Sequence, residues 1–384
     1  MHGIKAQLEE LAGKGLLRSL RHYERTPQGK VYDGSQELWN FAANDYLGLS
    51  THPQIAAAYI TGIQDHGIGA GASRLVSGGS PVFSQFEQEL ATAKKQPSAL
   101  FFSSGYAAAV GTIPALVGKN DFIILDKLSH ACLIDGSKLS GATIRVFPHN
   151  DVEKLNRLLG KIRATQPATS RILVITESVF SMDGDLCPLA EIVACKNQYD
   201  ATLLLDEAHG FGVLGENGGG LAEQLNLTES VDIHMGTLSK AAGLAGGFIA
   251  SSQHIIDLLI NRARSFIYST APPPALVAAA RTALAIIRSA EGHMLRTQLH
   301  TNAAHFSKIL GSSPSPSAII PLVLGDNHRA LRAAETLRHA GFLVPAIRYP
   351  TVPPNTARLR ISLSAAHPPS TIAELATIAG TLLH

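Results

Sequence analysis

Cysteine is scarce in this chain of 384 residues: Cys132, Cys187 and Cys195 have neither CxxC spacing nor an even count. That argues against a disulfide framework and suits a reducing cytoplasm. Charge is scarce as well, with 16% of residues charged and a net charge of +2. No basic run or basic–aromatic interleaving suggests nucleic acid. Long apolar runs are missing; ALVAAARTALAII is interrupted by Arg281 and is too short to span a bilayer. No signal-peptide pattern opens the chain, where MHGIKAQLEELAGKGLLRSL mixes both charge signs with leucines at helical spacing. The sixteen histidines are scattered without HExxH or paired-ligand spacing, so no metal is expected. What remains is expected to be a soluble cytoplasmic protein.

At 45% hydrophobic, the chain can bury a large core and divides into domains of unequal size. Ile4 to Leu20 read as an amphipathic helix, and KVYDGSQELWNF as a strand pair around an Asp-Gly turn. The glycine-rich run from Gly67 to Ser80 lacks a preceding apolar strand, so a loop at a domain edge is expected rather than a dinucleotide site. From Gln85 onward, SALFF, DFIIL, TIRVF, RILVIT, ATLLLD, VDIHM and GGFIA alternate with helical segments such as EQELATAKK, VEKLNRLLGKI and LAEIVACKNQ. Short apolar strands separated by helices predict a largely parallel sheet covered on both faces, an α/β architecture. After the proline-rich turn STAPPP a long helix leads to a second unit with strands IIPLVLG, FLVPAI and RLRISLS. The expected divisions are a segment at 1–50, a large domain at 51–285 and a small domain at 286–384.

Ligands of such sheets collect at the carboxyl ends of the strands. After SALFF come Ser103, Ser104, Gly105 and Tyr106, opening a helix whose free N–H groups suit a phosphate as well as an ordinary cap. His130 follows DFIIL; it is either a core histidine or a flat ring for a planar cofactor. Ser181 and Asp183 follow RILVIT in a turn. ATLLLD ends in Asp206, with His209 close behind. A carboxylate terminating three leucines is costly to desolvate unless a cation meets it. A protonated pyridine nitrogen about 4 Å away would attract it by about 4 kcal/mol at an effective dielectric of 20. Last comes Lys240, among Thr, Ser, Ala, Gly and Leu with no acid beside it in the sequence. Burial would lower the pKa of such an amine, and a neutral amine captures aldehydes. Anchor, stacking ring, ring-nitrogen partner and aldehyde partner are the parts that pyridoxal phosphate needs.

The motifs NDYLGLS, SSGYAAAV, ESVFSMDGDLCPL, LLDEAHGFGVLGENGGG, GTLSKAAGLAGGFIA, STAPPPA and IRYPTVPPNTARLRISLSAAH resemble those of the α-oxoamine synthases, from about Gly15 to the C-terminus. The resemblance implies a fold-type I pyridoxal-phosphate transferase, with a mostly parallel seven-stranded sheet and a smaller α+β C-terminal domain. It implies decarboxylative condensation of an amino acid with an acyl thioester. The tail is most similar to the branch that joins L-alanine to a pimeloyl thioester, on coenzyme A or an acyl carrier protein, in biotin formation. Lys240 would then hold the cofactor covalently, Asp206 pair with its ring nitrogen, His209 with its ring hydroxyl, and His130 stack on it. Gly105, Tyr106, Ser181 and Thr237 would line its pocket, and Thr270 would reach the phosphate from the partner subunit of a homodimer with shared sites. Arg18, Asn44, Arg348 and Thr351 match substrate-recognising positions, with His130 also beside substrate and Arg348 suited to a carboxylate. Two positions depart from the family: Ser239 replaces the glycine before the lysine, and Ser84 a histidine after the glycine-rich loop.

Overall fold

The computed structural model describes residues 3–26 and 29–383. Three short strands open the chain: β1 (Glu24–Thr26), β2 (Lys30–Tyr32) and β3 (Glu37–Asn40). Seven follow: β4 (Ser98–Phe102), β5 (Phe122–Asp126), β6 (Thr143–Phe147), β7 (Ile172–Glu177), β8 (Thr202–Asp206), β9 (Ile233–Thr237) and β10 (Gly247–Ser251). Four close it: β11 (Ile319–Gly325), β12 (Phe342–Leu343), β13 (Ala346–Ile347) and β14 (Ala357–Ser362). The chain divides into a larger unit, 49–181 with 185–296, and a smaller one, residues up to Gly48 with 182–184 and 297 onward. The N-terminal segment therefore does not stand apart. It groups with the C-terminal part because β3 pairs in parallel with β12, Trp39 opposite Phe342.

In the larger unit, the seven expected apolar runs form one sheet in the order β4-β10-β9-β8-β7-β5-β6. β5 to β9 run parallel, and β10 is antiparallel to both its neighbours. β5, β7, β9 and β10 are buried at every position, which is why they read as predominantly apolar runs. The uncharged helix Gly105–Leu116 packs on helix Ala131–Ser140 and against β9 and β10. Ile113, Leu125, Leu133, Ile175, Leu204 and Ile249 meet in the core beneath it. Each such side chain contributes roughly 1.5–3 kcal/mol by leaving water. Gly67–Ser80 is irregular, as expected, apart from a single bridge from Ser73 to Thr270.

The smaller unit holds two sheets, β1-β2-β3-β12 and β11-β14-β13. The hairpin around Asp33–Gly34 forms as expected, with Val31 opposite Leu38. Two expectations are corrected. FLVPAI is not one strand: Pro345 offers no N–H, and the pieces on either side join different sheets, β12 beside β3 and β13 beside β14. The first helix is Ile4–Gly13 and stops well before Leu20. It buries no side chain and is supported by local propensity and the surface pairs Lys5–Glu9 and Glu10–Lys14, and Gly15 turns the chain at φ +64°.

Candidate active site

The carboxyl edge of the large sheet gathers the groups singled out above. Strand β8 delivers Asp206 to a buried position, where the Ala208 N–H donates to its Oδ1 at 2.8 Å. Burial pushes the Asp206 carboxyl above its usual range, and Lys240 opposes that rise. Directly opposite in register lies Glu177 at the end of β7. It is buried too, and burial together with the Asp206 charge pushes its carboxyl well upward. Behind Asp206, Glu207 has no exposed surface and receives Lys94 Nζ, the Ala222 N–H at 3.1 Å and His234 Nδ1 at 3.3 Å. Burial alone would raise its pKa, yet Lys94 and His234 bring it down to about 2. His209 is buried on the same turn.

His130 stands at the start of helix Ala131–Ser140 and caps it through its side chain. Its Nδ1 accepts the Cys132 N–H at 3.3 Å and lies 3.0 Å from the Cys132 thiol. Its own N–H donates to Glu177 Oε1 at 2.5 Å. Desolvation lowers the imidazole pKa, Asp206 pulls it up, and Lys240 lowers it again. His130, Asp206 and Lys240 thus share one electrostatic environment.

Lys240 sits on the loop between the adjacent antiparallel strands β9 and β10, where Thr237 faces Gly247. The Leu238 N–H donates to the Gly246 carbonyl at 3.0 Å, and the Gly243 N–H to the Lys240 carbonyl at 2.9 Å. Gly243 needs φ +70°, and a Cβ there would strike the Ser50 backbone. Thr237 donates to the Gly246 carbonyl at 2.7 Å and shares a 2.8 Å hydrogen bond with the Ser239 hydroxyl. Ser239, the departure from the family glycine, is thereby bonded into the loop base. Lys240 is half-buried rather than enclosed. The acids that its sequence neighbours lack come from β7 and β8.

Beyond β4, Ser104 caps helix Gly105–Leu116 by accepting the Ala107 N–H at 3.0 Å. The first N–H groups of the helix, at Gly105 and Tyr106, have no carbonyl partner within it. This turn lies hard against β10: a Cβ on Gly247 would come within 2.5 Å of the Gly105 nitrogen. A Cβ on Gly105 would meet Thr237 at 3.4 Å. The Tyr106 hydroxyl donates to Asp135 at 2.6 Å, and its ring is half exposed. Ser181 is half-buried after β7, while Thr270 is exposed beside Ser73. Ser84 lies exposed on helix Pro81–Ala93. An anion-binding helix start, a buried acid suited to a cation, an accessible amine and an imidazole on one edge fit a group with a phosphate, a basic ring nitrogen and an aldehyde.

The remaining expected residues lie in the smaller unit. Arg18 donates to the Thr351 hydroxyl at 3.2 Å, and Arg348 donates to the Gly15 carbonyl. Burial, then Arg18 and Arg21, hold the Arg348 guanidinium below its ordinary pKa. Three cations therefore gather there, Arg21 being one that sequence reasoning had not assigned to substrate. Asn44 falls in another group: its Oδ1 accepts from Arg360 at 3.0 Å and from the Tyr46 hydroxyl at 3.1 Å. Arg360 is buried and also bonds the Ser362 hydroxyl at 2.6 Å. It was missed, although an arginine within the apolar run RLRIS is a usable signal. Glu177, Lys94, Glu207 and His234 were missed as well. Among the described residues no group of three or more His, Cys, Asp and Glu could hold a metal ion. No described helix is long and apolar enough to cross a membrane.

Residues 36–378 match the aminotransferase class I and II family. The 8-amino-7-oxononanoate synthase of Geobacter sulfurreducens is 45% identical over 369 residues, covering 95% of this chain and 93% of the relative. The same enzyme from Beijerinckia indica subsp. indica is 43% identical, covering 98% of this chain and 96% of the relative. Among solved structures, a serine palmitoyltransferase from S. paucimobilis with bound PLP and myriocin matches with a TM-score of 0.91 at 30% identity, covering 99% of this chain and 96% of that one.

Proposed function

The chain belongs to the class I and II aminotransferases and, within them, to the α-oxoamine synthases, and from that membership we propose that it condenses L-alanine with a pimeloyl thioester. It is a pyridoxal-phosphate-dependent acyltransferase of the 8-amino-7-oxononanoate synthase type. The products would be 8-amino-7-oxononanoate, carbon dioxide and the free thiol of coenzyme A or an acyl carrier protein. The observation that carries the reading is the gathering of Lys240, Asp206 and His130 in one electrostatic environment at the sheet edge.

When bound, pyridoxal phosphate supplies an aldehyde that captures amines and a ring that accepts electrons. The chain does the rest. Gly105 and Tyr106 would hold the phosphate through backbone N–H groups, with Thr237 and Ser181 bordering the pocket and Thr270 reaching it from the partner subunit of a dimer. Asp206 would keep a proton on the ring nitrogen, and His209 would bond the ring hydroxyl. His130 would stack on the ring and stand beside the substrate. Lys240 Nζ would be the group that holds the aldehyde end of that cofactor. The Lys240 amine would also take the α-proton of the amino acid, an acid–base contribution of roughly 10²–10⁴-fold. Arg18, Asn44, Arg348 and Thr351 would recognise substrate, Arg348 through a carboxylate.

Offering alanine, glycine and serine with pimeloyl, acetyl, succinyl and palmitoyl thioesters, and identifying products by mass spectrometry, tests the reading. Alanine with the pimeloyl thioester is expected to give the dominant product. Preference for glycine would make the chain a glycine-using α-oxoamine synthase. Turnover of none of them would favour a non-catalytic, dimerising subunit. Lys240→Ala is expected to abolish turnover and leave folding intact; full activity in that variant would refute the assignment.

A further inference from the structure

His130 is held from two directions by groups that the proposed reaction does not use. A backbone N–H can only donate, so the Cys132 N–H at 3.3 Å requires a lone pair on His130 Nδ1. The Cys132 thiol, 3.0 Å from the same nitrogen, adds a second donor. Burial raises the pKa of that thiol, so its proton is present to be donated. On the other side, Glu177 Oε1 takes the His130 N–H and fixes the backbone from which the ring projects. Nε2 meets no partner among the described residues.

We propose that Cys132 and Glu177 are positioning residues that hold His130 as the neutral tautomer with its proton on Nε2. The inference rests on the reading of His130 as the ring-facing histidine, and it goes further by fixing which nitrogen can donate. Nδ1 is occupied on the protein side, so Nε2–H is the one ring donor left for whatever binds beside it. The charged and titratable groups that act on this ring or its cap are Asp206, Lys240 and Asp135, with Glu177 and Cys132 in direct contact. Desolvation and Lys240 disfavour a second proton, in keeping with a neutral ring.

The test uses the holoenzyme labelled with ¹⁵N-histidine and long-range ¹H–¹⁵N spectra. His130 signals are assigned by their loss in His130→Asn, a substitution that keeps a helix-capping acceptor. Near neutral pH, an unprotonated Nδ1 and a protonated Nε2 are expected. A proton on Nδ1, or on both nitrogens, overturns the proposal. Cys132→Ser, which keeps both donors, is expected to leave the pattern unchanged, whereas Cys132→Ala is expected to broaden the signals or populate the other tautomer. An Ala variant identical to wild type removes the thiol from the account. Glu177→Gln keeps an acceptor and should leave the His130 amide signal in place; Glu177→Leu should displace it, and no displacement would free Glu177 of the role. The visible absorbance of bound cofactor, read on the same samples, separates the two levels. Its absence from wild type defeats the pyridoxal-phosphate reading, while its presence with the wrong tautomer defeats this inference alone.

Discussion

Lys94 and Glu207 meet where neither has water, 1% and 0% exposed at their side chains. Removing one partner strands the other charge, a loss of about 3–5 kcal/mol, whereas replacing both by apolar groups is often neutral. Lys94→Met is therefore expected to lower the urea midpoint sharply, and Lys94→Met with Glu207→Leu to recover most of the loss. The pH dependence follows from the depressed pKa. Glu207 falls from an ordinary 4.5 to about 2, so its stabilising contribution is present above 4.5 and is lost as pH falls toward 2. Acid unfolding of wild type and of the double variant, followed by circular dichroism, checks that limb. The pair was illegible in the sequence because its members stand 113 positions apart. Asp206 was legible because a carboxylate ending an apolar strand is conspicuous by itself. Arg348 and Arg360 pose a similar contrast. A bond to a charged group is worth about 1.5–3 kcal/mol, or roughly 10- to 100-fold in KM. Arg348→Ala is expected to show that rise for one of the two carboxylate-bearing substrates, measured against Arg360→Lys.

Strand ends do the positioning, and small changes there should be felt. A Cβ on Gly247 would sit 2.5 Å from the Ser104 carbonyl carbon, so β10 and the start of helix Gly105–Leu116 could not keep their spacing. Gly247→Ala is expected to cost about 1–3 kcal/mol by overpacking and to weaken cofactor binding, read by denaturant melts and absorbance titration. His149, following β6, bridges Asp126 at the end of β5 (3.1 Å) and Asp185 beyond β7 (2.7 Å). Although burial opposes its charge, these two acids raise its pKa from 6.5 to about 10. Its contribution is complete below 6.5 and disappears as pH rises through 10. His149→Gln is thus expected to flatten the alkaline limb of a melting-temperature profile. Most of the seven sheet strands were legible because burial on both faces favours short apolar runs, whereas β6 at the sheet edge is only partly buried and carries Arg145. The two-residue strands β12 and β13 were not, since partners rather than their own residues define them. The length of the first helix was misread because leucines at helical spacing imply a buried face that the fold does not provide.

Over the described residues, the segments 3–48 and 297–383 belong to one unit, and the larger unit is made between them apart from 182–184. That closure was hidden because pairing between β3 and β12 joins segments that share no local pattern. Thr270, exposed on the larger unit, is the residue proposed to act across a dimer. Thr270→Ala alone is expected to weaken cofactor binding. Mixing it with Lys240→Ala chains, after co-expression, is expected to restore turnover through the hybrid that rebuilds one complete site. No recovery in verified heterodimers would confine each site to a single chain. The reversed strand β10 has a consequence for how such a protein can be altered. Because Thr237 and Gly247 are neighbours in one ladder, the stretch between them is a closed cassette whose two hinges already touch. Lengthening a closed loop costs only about 0.6 kcal/mol per doubling. Cassettes of different length, swapped in as single blocks, should therefore vary the reach of the amine while the sheet beneath keeps its register.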